Sequence, residues 1–328
     1  MLQSLDPEQE RFGMDATHRN DILKTALTDG MKKGWSGFSW ILKIIIPVSF
    51  LTALLAWSGM LDALDFLIRP VMSMLHLPAI AALPLMIGVL TGIYGGIASM
   101  AVLPITLDEM TLIAIFILIA HNLIQEGIIQ ARSGMHPLKA TLFRLTVAVI
   151  TVILVAPFLD TESVARPIAG GTADLGTQPF LEMMMAWGSR TIDLVIRIFF
   201  IIMFIMGMLE VLKAFDWIDP IVRRGTPLLK AMGLSPRVGM LWMTAVIFGL
   251  TYGGAVIVEE TKHESLSRNE LEALHLSIGI NHSMIEDAAL FLPLGIGPFW
   301  LWVPRLLVAI LAVRLLALWQ MLRRRIGV

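Results

Sequence analysis

The chain has no cysteine among its 328 residues, which excludes disulfides, thiolate metal sites and thiol redox chemistry. It also lacks a Walker loop, a nucleophile elbow, a His-Glu-x-x-His motif and a basic aromatic surface for nucleic acid. Charged residues make up only 16% of the chain, and the net charge of -1 carries little information by itself. These absences argue against an ATP-driven pump and against a nucleic-acid partner.

Most of the chain is apolar. Apolar residues make up 56% of the chain, with a mean hydropathy of +0.77, and they gather into blocks near the length of about 20 residues that crosses a bilayer. The first block is too long for a secretory signal peptide and lacks its cleavage site, so we expect it to remain as an anchor. The sequence predicts an all-α polytopic membrane protein. Eight blocks stand out, at 36–58, 79–104, 110–131, 138–158, 188–212, 236–258, 271–293 and 298–321.

One apolar block contains a cluster of polar side chains, Asn281-His282-Ser283-Met284-Ile285-Glu286-Asp287. At a distance of 161 positions earlier the chain reads Ala120-His121-Asn122-Leu123-Ile124-Gln125-Glu126. Ionisable groups are costly in hydrocarbon and usually mark function there. The two segments are therefore the first candidates for a site.

The offset of 161 extends well beyond the two histidines. Thr106 and Glu109 match Ser267 and Glu270, and both pairs have the spacing of a capping box that opens the histidine-bearing helix. Upstream, Tyr94-Gly95-Gly96 corresponds to Tyr252-Gly253-Gly254. The chain thus divides into an N-terminal segment, two membrane repeats and a linker, at 1–35, 36–158, 188–328 and 159–187 respectively. Further matches at the same offset are Glu126 with Asp287, Pro137 with Pro298 and Arg144 with Arg305.

The distribution of basic residues predicts how the repeats are oriented. If blocks 79–104 and 236–258 are re-entrant hairpins, each half crosses the membrane three times and the repeats are inverted. The basic segments and both termini are then cytoplasmic, and the linker is extracytoplasmic. Full crossings by these blocks remain the alternative. Glycines after each tyrosine suit a broken helix, although small residues also allow close helix packing; their repetition favours the break. Segment 18–34 is predicted to form either an interfacial amphipathic helix or a solvated cytoplasmic extension. The amphipathic segments 60–76 and 214–233 are expected on the membrane surface or at an interface between protomers.

The polar segments offer several kinds of chemistry. On a continuous helix His282 and Glu286 share a face, as do His121 and Gln125, while Asp287 lies about 100° further round. Imidazoles with carboxylates can bind a divalent metal, carry a proton or recognise a polar solute. The alternative is that buried acids merely pair with histidines or arginines; Arg144 and Arg305 could instead extend to the interface. The predicted binding residues are His121, Asn122, Gln125, Glu126, Asn281, His282, Ser283, Glu286, Asp287, Tyr94, Gly95, Gly96, Tyr252, Gly253 and Gly254.

Two repeats with Gly-Met-Leu-(Asp/Glu), at 59–62 and 207–210, then Tyr-Gly-Gly and a downstream polar histidine helix resemble the GATE or nucleoside-recognition domain of bacterial membrane proteins. That domain is similar to concentrative nucleoside transporters, to the membrane domains of B-type ferrous-iron transporters and to spore maturation proteins A and B. The resemblance implies inverted repeats with re-entrant hairpins around a central site, in the bacterial cytoplasmic (inner) membrane. The chain lacks the cysteine of the iron family and the Asn-Glu-Phe motif of the nucleoside family.

The sequence therefore predicts a non-enzymatic transporter for a small polar or charged solute, such as a nucleoside-like molecule or an ion. No organic cofactor is expected; Na⁺ or H⁺ coupling and a divalent metal both stay open. Expected partners are the lipid bilayer, the solute and a second copy of the chain in a homo-oligomer. A non-transporting assembly or signalling protein, using the basic segment 213–237 and the acidic loop 259–264, is the alternative. A metal-dependent membrane enzyme ranks third.

Overall fold

A computed structural model describes residues 16–160, 178–217, 220, 224–263 and 266–326. All regular secondary structure in these ranges is helical. Three short 3-10 turns, at Ala79–Ala81, Ala156–Phe158 and Leu292–Leu294, join some of the helices. In chain order the α-helices are α1 (Ala16–Trp57), α2 (Met60–Ser73), α3 (Ala82–Thr91), α4 (Ile93–Met100), α5 (Leu107–Ala120), α6 (Leu123–Arg132), α7 (Pro137–Val155), α8 (Phe180–Ala214), α9 (Thr226–Met232), α10 (Pro236–His263), α11 (Arg268–Asn281), α12 (Glu286–Ala289) and α13 (Pro298–Ile326).

Five stretches of the described chain are long and apolar enough to cross a membrane, and each coincides with a predicted apolar block. This confirms the prediction of an all-helical membrane protein. The remaining three blocks, 79–104, 236–258 and 271–293, contain backbone breaks, and block 110–131 has one as well, at His121 and Asn122. The five stretches are Arg19–Trp57, Leu107–Arg132, Pro137–Phe158, Phe180–Ala214 and Pro298–Arg323.

The N-terminal helix α1 differs from the prediction. Residues 18–34 are continuous with the first apolar block in one helix of 42 residues, which passes through Pro47 without ending. The helix continues through residues 18–34 because this polar part of α1 packs along α8. A Cβ atom on Gly30 would lie 2.7 Å from the Cα of Gly207, and Lys33 Nζ lies 2.7 Å from Glu210 Oε2. One side of the segment that was expected to form a separate interfacial helix thus packs against α8, while most of its other residues stay exposed.

The segment after α2 folds back on itself at Gly92. This residue has φ 98° and ψ -177°, a combination open essentially to glycine alone, and it ends α3 and begins α4. A Cβ on Gly96 would lie 3.5 Å from the Cα of Gly88, eight residues earlier. Residues eight apart are about 12 Å apart along a straight helix. The contact therefore shows that α3 and α4 form a hairpin.

Helix α10 repeats this arrangement in the second half. Gly249 has φ 80° and ψ 170°, and a Cβ on Gly253 would lie 2.5 Å from the Cα of Ala245. The backbone therefore turns at Gly249, as it does at Gly92, and the segment folds back on itself.

We expected each half of the chain to turn at the glycines that follow its tyrosine, and the structure corrects the position of these turns. The turn lies a few residues earlier, and Gly95, Gly96, Gly253 and Gly254 serve close packing instead. A Cβ on Gly96 would lie 2.5 Å from Ile117, and one on Gly254 would lie 2.5 Å from Ile129. Both readings of the glycines thus apply, each to different residues.

The two predicted capping boxes are confirmed. Thr106 Oγ1 accepts a hydrogen bond from the Glu109 amide, while Glu109 accepts one from the Thr106 amide. Ser267 and Glu270 make the same reciprocal pair. These caps begin α5 and α11, the helices that lead to the two histidines.

Candidate functional site

Both histidine-bearing helices are broken at the histidine. His121 is extended, with φ -84° and ψ 159°, and Asn122 follows in the left-handed region at φ 47°. Their counterparts 161 residues later behave alike, since His282 has φ -62° and ψ 154° and Ser283 has φ 48°. The expectation of a continuous helix with shared i, i+4 faces is therefore wrong. The breaks leave the histidines at the ends of α5 and α11.

Two buried arginines stabilise these breaks. A helix end leaves backbone carbonyls without partners, and Arg144 donates to the carbonyls of Ile119 (2.8 Å) and His121 (3.0 Å). Arg305 donates from two nitrogens to the carbonyl of Ile280, at 3.1 and 2.9 Å, and to that of His282 at 3.1 Å. Their side chains are 1% and 0% exposed. The interpretation that these arginines extend to the membrane–water interface is wrong. They stay buried because the carbonyls at the two helix ends need hydrogen-bond donors.

Each break also packs against the hairpin of its own half. The Asn122 amide donates to the carbonyl of Gly88 at 3.1 Å, and the Ser283 amide donates to the carbonyl of Ala245 at 3.1 Å. Gly88 and Ala245 lie four residues before the turns at Gly92 and Gly249. Each half therefore presents its histidine on a unit in which broken helix and hairpin are hydrogen-bonded together.

The two halves meet at the histidines. His121 Nε2 and His282 Nε2 are 3.2 Å apart, and Glu126 Oε1 lies 2.9 Å from the first and 3.1 Å from the second. The other oxygen of Glu126 pairs with Arg144 Nη1. Asp287 Oδ2 lies 3.6 Å from His121 Nε2. His121, Glu126 and His282 are 6%, 6% and 2% exposed. The predicted half-sites thus form one buried cluster.

This cluster faces a cavity of about 260 Å³. On its wall Glu286 Oε1 accepts a hydrogen bond from the Tyr94 hydroxyl at 3.3 Å, and Gln125 Oε1 accepts one from Asn122 Nδ2 at 3.0 Å. Gln125 and Glu286 occupy matching positions, where one repeat has an amide and the other an acid, and both border the cavity. Its lining comprises Trp40, Thr91, Gly92, Ile93, Tyr94, His121, Asn122, Gln125, Glu126, Gly249, His282, Ser283, Glu286 and Asp287.

Some of the predicted binding residues do not line this cavity. Asn281 is fully buried, and its side-chain amide has no hydrogen-bond partner in the described part of the chain. Gly95, Gly96, Gly253 and Gly254 are packing residues, as shown above. The side chain of Tyr252 lies outside what the structure describes, as do several side chains of the acidic loop 259–264 and parts of segment 213–237.

Pairing of a buried acid with an arginine was one of the sequence-based alternatives, and Glu126 with Arg144 makes such a pair. The sequence did not predict that Arg144 and Arg305 stabilise the helix breaks, although both were matched in the repeat. A charged residue repeated at one register within two apolar blocks was the available signal. Trp40 was also missed, because it comes from α1, far from either polar segment. Its ring meets that of Tyr94 edge to face, with centroids 5.7 Å apart.

A comparison with curated proteins finds a relative of this chain. The chain is 26% identical over 298 residues to the uncharacterized membrane protein YvoD of Bacillus subtilis (strain 168). The match covers 90% of this chain and 94% of that protein, so it includes both halves of the site. No protein-family profile matches the chain. No solved structure matches it either. This relative supports the conclusion that the chain is a membrane protein, but its name states no activity.

Proposed function

We propose that the chain is a transporter for a small polar or charged solute, with its central site at the interface between two inverted halves. The observation that carries this proposal is the convergence of two repeat-related histidines on one buried polar cluster that borders a cavity. Buried ionisable groups in a membrane protein are expensive and usually serve a pathway or a bound species. In transporters such groups lie where broken helices of two repeats meet.

The backbone breaks add a second line of support. Non-helical backbone at membrane depth is tolerated where protein covers it or where it borders a watery cavity. Gly92, Gly249, Asn122 and Ser283 all lie at such breaks and all line the same cavity. In this proposal the hairpins α3–α4 and α10 enter and leave on one side of the cytoplasmic membrane. Both termini are then cytoplasmic, as the distribution of basic residues indicated.

The surroundings of the bundle fit the proposed partners. Helix α2 exposes Phe66 (90%), Leu67 (74%) and Val71 (63%), an apolar surface suited to lipid or to a second copy of the chain. The site itself needs no covalent step for transport, so the proposal assigns no enzymatic activity. The GATE or nucleoside-recognition resemblance belongs to this proposal as its expected fold, with Na⁺ or H⁺ as the expected coupling ion.

The test is uptake into proteoliposomes from a panel of nucleosides, nucleobases, monovalent ions and divalent metals. Candidate solutes are chosen first by thermal shift of the detergent-purified protein, since a ligand of the folded state raises its stability. We expect His282→Ala and Asp287→Asn to reach the membrane intact and to lose uptake. His136→Ala, at an exposed helix start outside the cavity, is the matched control. Normal uptake by both site variants would refute the site, and no flux of any solute would favour the assembly or signalling role.

A further inference from the structure

We infer that His121, His282 and Glu126, with Asp287 as a fourth ligand, form a binding site for a divalent first-row transition-metal cation. The first step concerns the imidazole protons. His121 Nδ1 lies 2.9 Å from the carbonyl oxygen of Ile117, and His282 Nδ1 lies 2.9 Å from that of Ile278. A carbonyl oxygen only accepts, so each Nδ1 carries a proton and donates it. A neutral imidazole bonded in this way presents the lone pair of its Nε2.

The second step concerns what these lone pairs face. The two Nε2 atoms are 3.2 Å apart, and Glu126 Oε1, another acceptor, lies 2.9 and 3.1 Å from them. Three electron-rich atoms thus form a nearly equilateral triangle inside the protein. One proton can join two of these atoms along a line, but it leaves the third facing a lone pair. A cation above the centre of the triangle satisfies all three at once.

The dimensions of the triangle suit such a cation. Zinc binds imidazole nitrogen and carboxylate oxygen at about 2.0–2.2 Å in tetrahedral geometry, which corresponds to distances of about 3.3 Å between ligand atoms. An ion held at about 2.1 Å from all three atoms would sit about 1 Å out of their plane. Asp287 Oδ2, at 3.6 Å from His121 Nε2, is the nearest further carboxylate oxygen. Small side-chain adjustments would complete a four-coordinate site.

The groups behind the ligands have the arrangement that metal sites require. Metal-binding histidines usually donate their other N–H to a carbonyl or carboxylate, and ligating carboxylates are themselves hydrogen-bonded. Here both Nδ1 atoms face carbonyls, and Glu126 holds Arg144 with the oxygen that faces away from the triangle. Arg144 in turn donates to the carbonyl of His121. These contacts orient His121, His282 and Glu126 before any ion binds.

The donor set also decides which cations fit. Imidazole with carboxylate suits zinc, iron, cobalt and nickel, whereas Na⁺, Mg²⁺ and Ca²⁺ prefer oxygen ligands alone. The chain has no cysteine, so the site offers no soft thiolate for copper(I). Around the triangle the carboxylates of Glu126, Glu286 and Asp287 outnumber the guanidinium groups of Arg144 and Arg305 by one. A divalent cation therefore enters a region whose fixed charges nearly cancel.

The test uses Co²⁺ and Zn²⁺ as probes on the detergent-purified, tag-free chain after removal of bound ions with a chelator. We expect one Co²⁺ per chain in metal analysis, with a visible absorption spectrum typical of tetrahedral nitrogen and oxygen ligation, and displacement of Co²⁺ by Zn²⁺. His121→Ala, His282→Ala and Glu126→Gln should each weaken binding by more than about 100-fold, exceeding the 10–100-fold typical of supporting groups. His136→Ala should bind as the unaltered chain does, and binding should weaken at acidic pH because protons compete for the imidazoles.

The Co²⁺ spectrum of the unaltered chain decides the inference even if a variant fails to fold. Absence of stoichiometric Co²⁺ and Zn²⁺ binding, or binding that survives both histidine substitutions, would overturn the inference. The cluster would then bind protons and no metal. That the cation is also the transported solute rests on the proposed function. Metal binding without flux of any solute would support the metal site and refute the proposed transport function. Flux of another solute without metal binding would support the transport function and refute the metal site.

Discussion

The two repeat-related arginines offer a matched pair for testing how the site is held together. Both donate to two carbonyls at a helix break, but only Arg144 also pairs with a carboxylate, that of Glu126. The second guanidinium has one nitrogen, Nη1, without a hydrogen-bond partner in the described ranges. Arg144→Met and Arg305→Met therefore remove similar carbonyl contacts and differ by one buried ion pair.

The expected magnitudes follow from that difference. Leaving buried carbonyls without donors costs about 1–3 kcal/mol for each group, and this cost applies to both variants. Removing one partner of a buried ion pair costs about 3–5 kcal/mol more, since a carboxylate is left without compensation. The histidines beside Glu126 can supply part of that compensation on protonation. We therefore expect Arg144→Met to be less stable than Arg305→Met by about 3 kcal/mol.

The assay is equilibrium unfolding of each variant in detergent with chelator present, followed by the fluorescence of the tryptophans, of which the chain has nine. Adding Glu126→Gln to Arg144→Met should recover most of the difference, because the uncompensated charge is then gone. Equal stability of the two single variants within about 0.5 kcal/mol, the usual limit of additivity, would refute the reasoning. So would a double variant no more stable than Arg144→Met.

Two further predictions concern glycines and use the same unfolding assay. Gly92→Ala should lower the free energy of unfolding by about 1–3 kcal/mol, because its φ of 98° is strained for any other residue although Cβ would meet only Asn122 at 3.8 Å. Gly37→Ala, in α1 with open space around it, should instead raise stability by up to about 1 kcal/mol; a loss there would contradict the helical reading. Gly30→Ala should destabilise the α1–α8 pair by about 1–3 kcal/mol, since its Cβ would meet the Gly207 backbone at 2.7 Å. Gly207→Ala has 3.8 Å to its nearest neighbour and should cost less; the reverse order would disprove the packing argument.

The parts of the fold that depend on local signals were predictable. Thr106 with Glu109 and Ser267 with Glu270 are close in sequence, and their side chains satisfy amides of the same helix turn. The long apolar blocks likewise predicted the five stretches that are long and apolar enough to cross a membrane. The repeat offset then identified His121 and His282 as equivalent, and the structure places them in contact.

The breaks at the histidines were not predictable from local sequence. Neither glycine nor proline occurs between residues 120 and 126, and Asn122 and Ser283 are only weak signals for left-handed backbone. What stabilises the breaks is Arg144 and Arg305, each 23 residues beyond its histidine. Such a contact depends on how two helices pack, which propensity does not encode.

The choice of turn glycine shows the same limit. Aligning Tyr94 with Tyr252 relates the hairpins by 158 residues, whereas the turns at Gly92 and Gly249 relate them by 157. Several glycines lie near each turn, and any of them can adopt positive φ. Tertiary bonds select one of them, because the amides of Asn122 and Ser283 reach the carbonyls four residues before the turn.

The bonds from Asn122 to Gly88 and from Ser283 to Ala245 tie each broken helix to the hairpin of its own half. The contacts of His121 with His282, and of Tyr94 with Glu286, join one half to the other. These are only part of the contact between the halves, because α1 of the first half also packs along α8 of the second. A species bound between the histidines would therefore touch both halves at once, so that substitutions in either half would weaken its binding.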